Sequence, residues 1–127
     1  YLVDAKGQNL WRLSTAIANI LRWKNKVSFS PHMDNWDYII VINADKIAVT
    51  WNKIEDKIYY SHSGYLGWIK QISLWDLLVK KPTEALRNSV NWMLPKNKLQ
   101  KLMIASLKLV IWTEHIYKAQ QPEQINL

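Results

Sequence analysis

Three groups of residues in this 127-residue chain have types and spacings that could do chemistry. His32, Asp34 and Asp37 offer an imidazole and two carboxylates at short spacing, a donor set that suits zinc or manganese. No His-x-x-x-His pair accompanies them, His62 and His115 lie far off in sequence, and loop-capping Asp residues account for the same pattern. Ser63, His62 and Asp56 are the residue types of a hydrolytic triad, but adjacent Ser and His side chains do not face each other in a strand, and no nucleophile elbow surrounds them. Gly64-Tyr65-Leu66-Gly67 resembles the Gly-x-x-Gly turns that let a nucleic-acid backbone approach the main chain, with His62, Ser63 and Lys70 beside it to meet phosphate or ribose. An ordinary loop has the same appearance. Neither a Walker sequence nor Gly-x-Gly-x-x-Gly is present, so no nucleotide cofactor is expected, and no other cofactor is implied.

Charge narrows the classes further. The net charge of +7 and a pI near 9.6 favour a polyanionic partner over an acidic small substrate. Residues 1–33 carry +4, residues 34–79 carry −2 and residues 80–127 carry +5, so two basic ends flank a near-neutral middle. Lys96, Lys98 and Lys101 follow Met93-Leu94-Pro95 at an expected helix start, where the dipole disfavours cations unless anions are near. With Arg12, Arg22, Lys24 and Lys26 they make a dispersed basic surface suited to the backbone of a folded RNA. Absent cysteine removes disulfides, thiolate zinc sites and thiol nucleophiles. The longest apolar run, Tyr38 to Ile42, is of strand length and far below the roughly 18 residues of a membrane span. The chain starts at Tyr1 rather than Met, and is therefore expected to be processed or trimmed.

The elements that must position these groups read as α/β. Leu2 and Val3 form a short strand before the Lys6-Gly7-Gln8-Asn9 turn, and Asn9 caps a helix whose apolar positions are Leu10, Leu13, Ile17, Ile20 and Leu21. Tyr38 to Ile42 is a β-branched run typical of a strand covered on both faces, which implies a parallel, helix-covered sheet. Ile47 to Thr50 and Lys57 to Ser61 read as further strands, Leu74 to Val79 as a helix, and two more helices follow Pro82 and Pro95. Leu109 to Ile111 is a candidate last strand, and residues 113–127 an extended tail. No repeat, low-complexity tract or linker divides the chain, so one domain over 1–127 is expected.

Taken in order, Val3-Asp4-Ala5-Lys6-Gly7, Leu10 to Leu13, Pro31-His32, Asp37 to Ala44, Asp56 to Tyr60, Met93-Leu94-Pro95-Lys96 and Ala119-Gln120-Gln121-Pro122 resemble the bacterial-type family of large-subunit ribosomal protein thirteen. The resemblance runs over essentially the whole chain and is most specific at Met-Leu-Pro-Lys and the Ala-Gln-Gln-Pro tail. It implies a three-layer α/β/α domain around a small, mainly parallel sheet. It also implies a non-enzymatic structural component that binds large-subunit ribosomal RNA, meets neighbouring ribosomal proteins and supports early subunit assembly. The ribosome would be cytoplasmic or organellar, with no membrane and no small-molecule substrate. Phosphate contacts are then expected from Arg12, Arg22, Lys24, Lys26, Lys53, Lys57, Lys70, Lys96, Lys98 and Lys101, with further contacts from His62, Ser63 and His115. The competing classes are a messenger-RNA-binding translational regulator and a metal-dependent nucleic-acid-processing enzyme built on His32, Asp34 and Asp37.

The departures are informative. Where the family pattern has glycine, this chain has Trp11, Trp23, Trp36, Trp51, Trp68, Trp92 and Trp112, and Gln100 replaces a further glycine. Three glycines stand where an average composition predicts roughly nine, against eight tryptophans and one phenylalanine. Glycines at turns and helix ends hold positive φ or leave room for a neighbouring backbone, and an indole does neither. The pattern therefore points to a codon that the source reads as glycine and that is rendered here as tryptophan; the rival reading is that the indoles stack on RNA bases.

Overall fold

A run as apolar as Ile39-Ile40-Val41-Ile42 can satisfy its backbone and hide its side chains only as an inner strand. The computed structural model, which describes residues 1–33, 37–50 and 52–126, places it there. In chain order the elements are β1 (Leu2–Asp4), α1 (Leu10–Leu21), β2 (Ile39–Ile42), α2 (Lys53–Asp56), β3 (Ile58–His62), β4 (Ile69–Ser73), α3 (Leu74–Lys80), α4 (Pro82–Met93), α5 (Gln100–Ala105) and β5 (Leu107–Leu109). A 3-10 turn follows at Lys118–Gln120. β2 lies between β1 and β5, parallel to both, with Val41 opposite Val3 and Leu109. Parallel neighbours require long crossovers. α1 lies in the first crossover, and everything from α2 to α5 lies in the second. The class is the expected one, α/β around a small parallel sheet.

α1 begins and ends for visible reasons. The Asn9 side chain accepts from the Trp11 N–H at 3.1 Å, and Leu10, Leu13, Ile17 and Leu21 form one buried stripe against the sheet and α4. At about 1.5–3 kcal/mol for each buried aliphatic side chain, this stripe is a major part of the core. At the far end, the Trp23 N–H donates to the Ile20 carbonyl at 2.9 Å and the Lys24 N–H to the Asn19 carbonyl at 3.2 Å. Those are the two bonds of a Schellman motif, and Trp23 occupies its left-handed position with φ +60°. A side chain there costs about 1–2 kcal/mol relative to glycine. Of the tryptophans at family glycine positions, Trp11 and Trp92 lie in helices, Trp68 and Trp112 in loops without positive φ, and Trp36 and Trp51 lie outside the described residues. The backbone therefore favours glycine at position 23 and not at 11, 68, 92 or 112.

The ends of β1 and β2 are tied side by side. One Asp4 carboxylate oxygen accepts from the Lys6 N–H at 2.9 Å and from the Asn43 side-chain amide at 2.8 Å, and these two bonds hold the Asp4 carboxyl below the usual carboxylate range. Asn43, buried and at φ +54°, ends β2. The outer edge of β1 is covered by the tail, because the Leu2 N–H donates to Glu123 and the Leu2 carbonyl accepts from Ile125.

Several sequence expectations shift. Ile47 to Thr50 makes a single bridge, Ala48 to Asn9, and no strand, because its partner chain turns at once into α1. β4 pairs antiparallel with β3, from Ile58 opposite Ser73 to His62 opposite Ile69. Its apolar residues, Ile69 and Ile72, are spaced by three and conceal a period of two. β5 starts two residues before the expected strand. α5 starts at Gln100, so Lys96 and Lys98 lie in the preceding bend and Lys101 alone sits in the first turn. The tail bears a 3-10 turn before it runs extended along β1. Among the described residues, no helix is long and apolar enough to cross a membrane.

Two outcomes are expected in urea denaturation. Trp23→Gly and Trp23→Ala both remove the indole, and the glycine variant should be the more stable by about 1 kcal/mol, since only glycine adopts this φ without penalty; equal stabilities would refute the left-handed assignment. Asp4 has a lowered folded pKa, so its contribution is present above its unfolded value of 3.8 and is lost as pH falls through the folded value. Asp4→Asn should flatten the stability profile below about pH 4 and leave the neutral region's slope unchanged.

Candidate nucleic-acid interface

The expected contact residues fall into separate groups. Lys53, in the first turn of α2, and Lys57, just after its end, both approach Trp11 on α1; their ammonium groups lie 5.7 and 5.3 Å from the indole. Lys57 also lies 5.2 Å from Trp92 and 5.7 Å from Tyr59, two rings that are themselves 5.6 Å apart. One ammonium is thus surrounded by three aromatic faces, each attracting a cation through its quadrupole. Tyr59 is buried beneath this cluster; burial pushes its phenol pKa up, and the nearby Ser89 hydroxyl offsets the rise only in part without completing a hydrogen bond.

Lys26 is occupied. Its ammonium contacts both Asp37 oxygens, at 2.8 and 2.9 Å, lies 4.2 Å from the Trp23 ring centroid, and shares Asp37 with the Trp23 indole N–H. That is the one ion pair among the described residues. Arg22 and Asn97 line the same small pocket, so the end of α1 approaches the bend that carries Lys96 and Lys98, both exposed. Arg12 and Lys24 are exposed on and just beyond α1.

The β3–β4 hairpin carries a third group at its tip. Gly64 and Gly67 both have positive φ, as a tight loop demands, and the His62 Nδ1 accepts from the Gly64 N–H at 2.9 Å. Every residue from Tyr60 to Gln71 is exposed, including Ser63 and Lys70, and Tyr65 packs on Trp68 at 6.1 Å between ring centroids. The His62 nitrogen that a Ser–His–Asp arrangement would orient is already used by the loop backbone. His32 is exposed, Asp37 is engaged by Lys26 and Trp23, and Asp34 lies outside the described residues; no cluster of three metal-binding side chains occurs among the described residues.

Sequence reasoning missed the surroundings of Lys101. This side chain lines a groove with Arg87 of α4, Lys108 of β5 and Tyr117, and His115 stacks on Tyr117 at 6.5 Å. These residues span thirty positions in isolated charges, so no local signal marks the site.

The fold and its surface define a small basic α/β protein whose cations stand on loops and helix faces, mostly without an acidic partner among the described residues. A profile of the ribosomal protein L13 family matches residues 1–116. Over all 127 residues the chain is 53% identical to the large ribosomal subunit protein uL13 of Psychrobacter sp. strain PRwf-1, covering 89% of that protein. It is 46% identical to the uL13 of Clostridioides difficile strain 630 over 126 residues, 99% of this chain and 88% of the relative, and 50% identical to that of Pelobacter propionicus over 127, covering 89%. The chain belongs to the ribosomal protein L13 family.

The enclosed and the free cations should behave differently. Lys57→Gln should lower stability by about 1 kcal/mol, because an ammonium among three rings is lost. Lys98→Gln, at a position exposed and without an acidic partner among the described residues, should stay within about 0.5 kcal/mol of the parent in the same urea titration; equal losses would mean that the aromatic cage does not hold Lys57.

Proposed function

We propose that this protein is a structural constituent of the large ribosomal subunit, where it acts as one domain, binds large-subunit ribosomal RNA and supports early subunit assembly without catalysing a reaction. The observation that carries the reading is the full-length similarity, near half identity, to proteins named as large-subunit components. The chemistry supports it: a net charge of +7 with one ion pair among the described residues leaves most cations free for phosphates. Arg12, Arg22, Lys24, Lys53, Lys70, Lys96, Lys98 and Lys101 are the proposed phosphate contacts. His62, Ser63 and His115 are proposed auxiliary contacts. Lys26 and Lys57 are proposed phosphate contacts as well, each already engaged within the molecule, Lys26 by Asp37 and Lys57 by aromatic rings. Neighbouring ribosomal proteins are further partners, no cofactor or small-molecule substrate is required, and the ribosome is a bacterial-type one, cytoplasmic in a bacterium or housed in an organelle.

Peptide mass spectrometry on purified large subunits of the source tests this reading. The protein should be present at one copy per subunit, and peptides covering positions 11, 23, 36, 51, 68, 92 and 112 should show the mass of glycine rather than tryptophan. Its absence from subunits together with abundance in the soluble fraction would replace the structural role with a regulatory one on messenger RNA. In binding assays, Lys98→Ala should reduce the salt slope by about one unit without changing sequence preference.

A further inference from the structure

Arg87, Lys101, Lys108 and Tyr117 come from α4, α5, β5 and the segment before the terminal 3-10 turn, and they line one groove of about 530 Å³. That volume lies within the roughly 300–1,000 Å³ of small-ligand sites. No carboxylate lines the groove, and none of its three cations has an acidic partner among the described residues. Lys108 donates to the Ala105 carbonyl at 2.9 Å, which fixes its ammonium at the groove and leaves two donors free. Three cations from three elements repel one another unless an anion enters. The remainder of the lining is not charged: Tyr117 presents a ring, and Leu107 and Leu109 supply apolar surface.

We propose that this groove receives one unpaired nucleotide of RNA, its phosphate on Arg87, Lys101 and Lys108 and its base against Tyr117. The combination discriminates among polyanions. A paired duplex presents phosphates but hides its base faces, whereas an unstacked loop or bulge nucleotide presents both a phosphate and a π-face. An acidic protein segment would satisfy the cations but supply no π-face for the side of Tyr117 that His115 leaves open. The inference rests on the RNA-binding reading above and adds to it a nucleotide-sized site and two cations, Arg87 and Lys108, that no sequence pattern marked.

The test uses the full chain and in-vitro-transcribed large-subunit ribosomal RNA of the source. Ultraviolet crosslinking followed by peptide sequencing should join Tyr117 to a nucleotide. The Arg87→Ala, Lys108→Ala double variant should lower the slope of log affinity against log salt by about one unit, because the groove holds a single phosphate. Tyr117→Leu should weaken binding about tenfold, and Tyr117→Phe, which keeps the ring, should bind as the parent does. Unchanged circular dichroism and melting of the variants tie these losses to the groove rather than to unfolding. If the parent chain fails to bind the RNA at all, the RNA-binding reading itself falls. If the parent binds while the double variant and Tyr117→Leu bind equally well, the groove proposal alone is overturned. Crosslinks from Tyr117 to an acidic segment of another protein in intact subunits would likewise overturn it.

Discussion

The arrangement depends on one constraint: β2 is an inner parallel strand, and parallel pairing cannot be made locally. Each neighbour of β2 must be reached by a crossover, so β1 pairs with β2 across α1, and β5 pairs with β2 across the whole stretch from α2 to α5. This couples the ends of the chain to its middle. Residues 123–125 then run alongside β1, so the last stretch of chain covers an edge formed by the first. An edge so covered cannot pair with another chain. The Asp4–Asn43 bond does at the strand ends what the register does along them, holding β1 against β2 where the backbone turns away.

The same topology distributes the charge. Only the centre of the sheet is fully buried, so the lysines and arginines are placed on helix faces, on turns and bends such as those after α1 and α4, on the β3–β4 hairpin and, as Lys108, on the edge strand β5. Two of them are held within the molecule, Lys26 by Asp37 and Lys57 by rings, and these define the limits of the free basic surface. Charge counting from sequence treats all seventeen basic residues alike. Geometry separates those already engaged by Asp37 or by aromatic rings from those exposed to solvent.

What was legible in the sequence is what is locally determined. The stripe of α1, its Asn9 cap, the β-branched run of β2 and the glycines of the hairpin loop each carry a signal within a few residues. β4 was not legible because its two isoleucines are an odd number apart and only one of them faces the small second core. The segment at Ile47 to Thr50 failed for the opposite reason, since strand-forming residue types there have no strand to pair with. For the interface, the cluster after Pro95 was visible as a run of charge. The groove of Arg87, Lys101, Lys108 and Tyr117 was not, because it exists only once α4, α5, β5 and the segment before the 3-10 turn meet.

Trp23 shows how a residue identity and a backbone requirement can disagree. The Schellman bonds at the end of α1 are made by backbone atoms and follow from where the helix must stop to let the chain return toward β2. They demand a left-handed residue whatever its side chain, and glycine meets that demand without cost. The indole is retained there with compensation from Asp37 and Lys26, contacts that a glycine would neither need nor make. At Trp11 and Trp92 the backbone is helical and makes no such demand, so an indole is tolerated and finds Lys57 between them. If the source places glycine at all of these positions, the aromatic cage around Lys57 loses two of its three rings and Lys57 joins the free cations. The identity of the residue at position 23 therefore bears on the fold, whereas the identities at 11 and 92 bear on how firmly Lys57 is held at the surface.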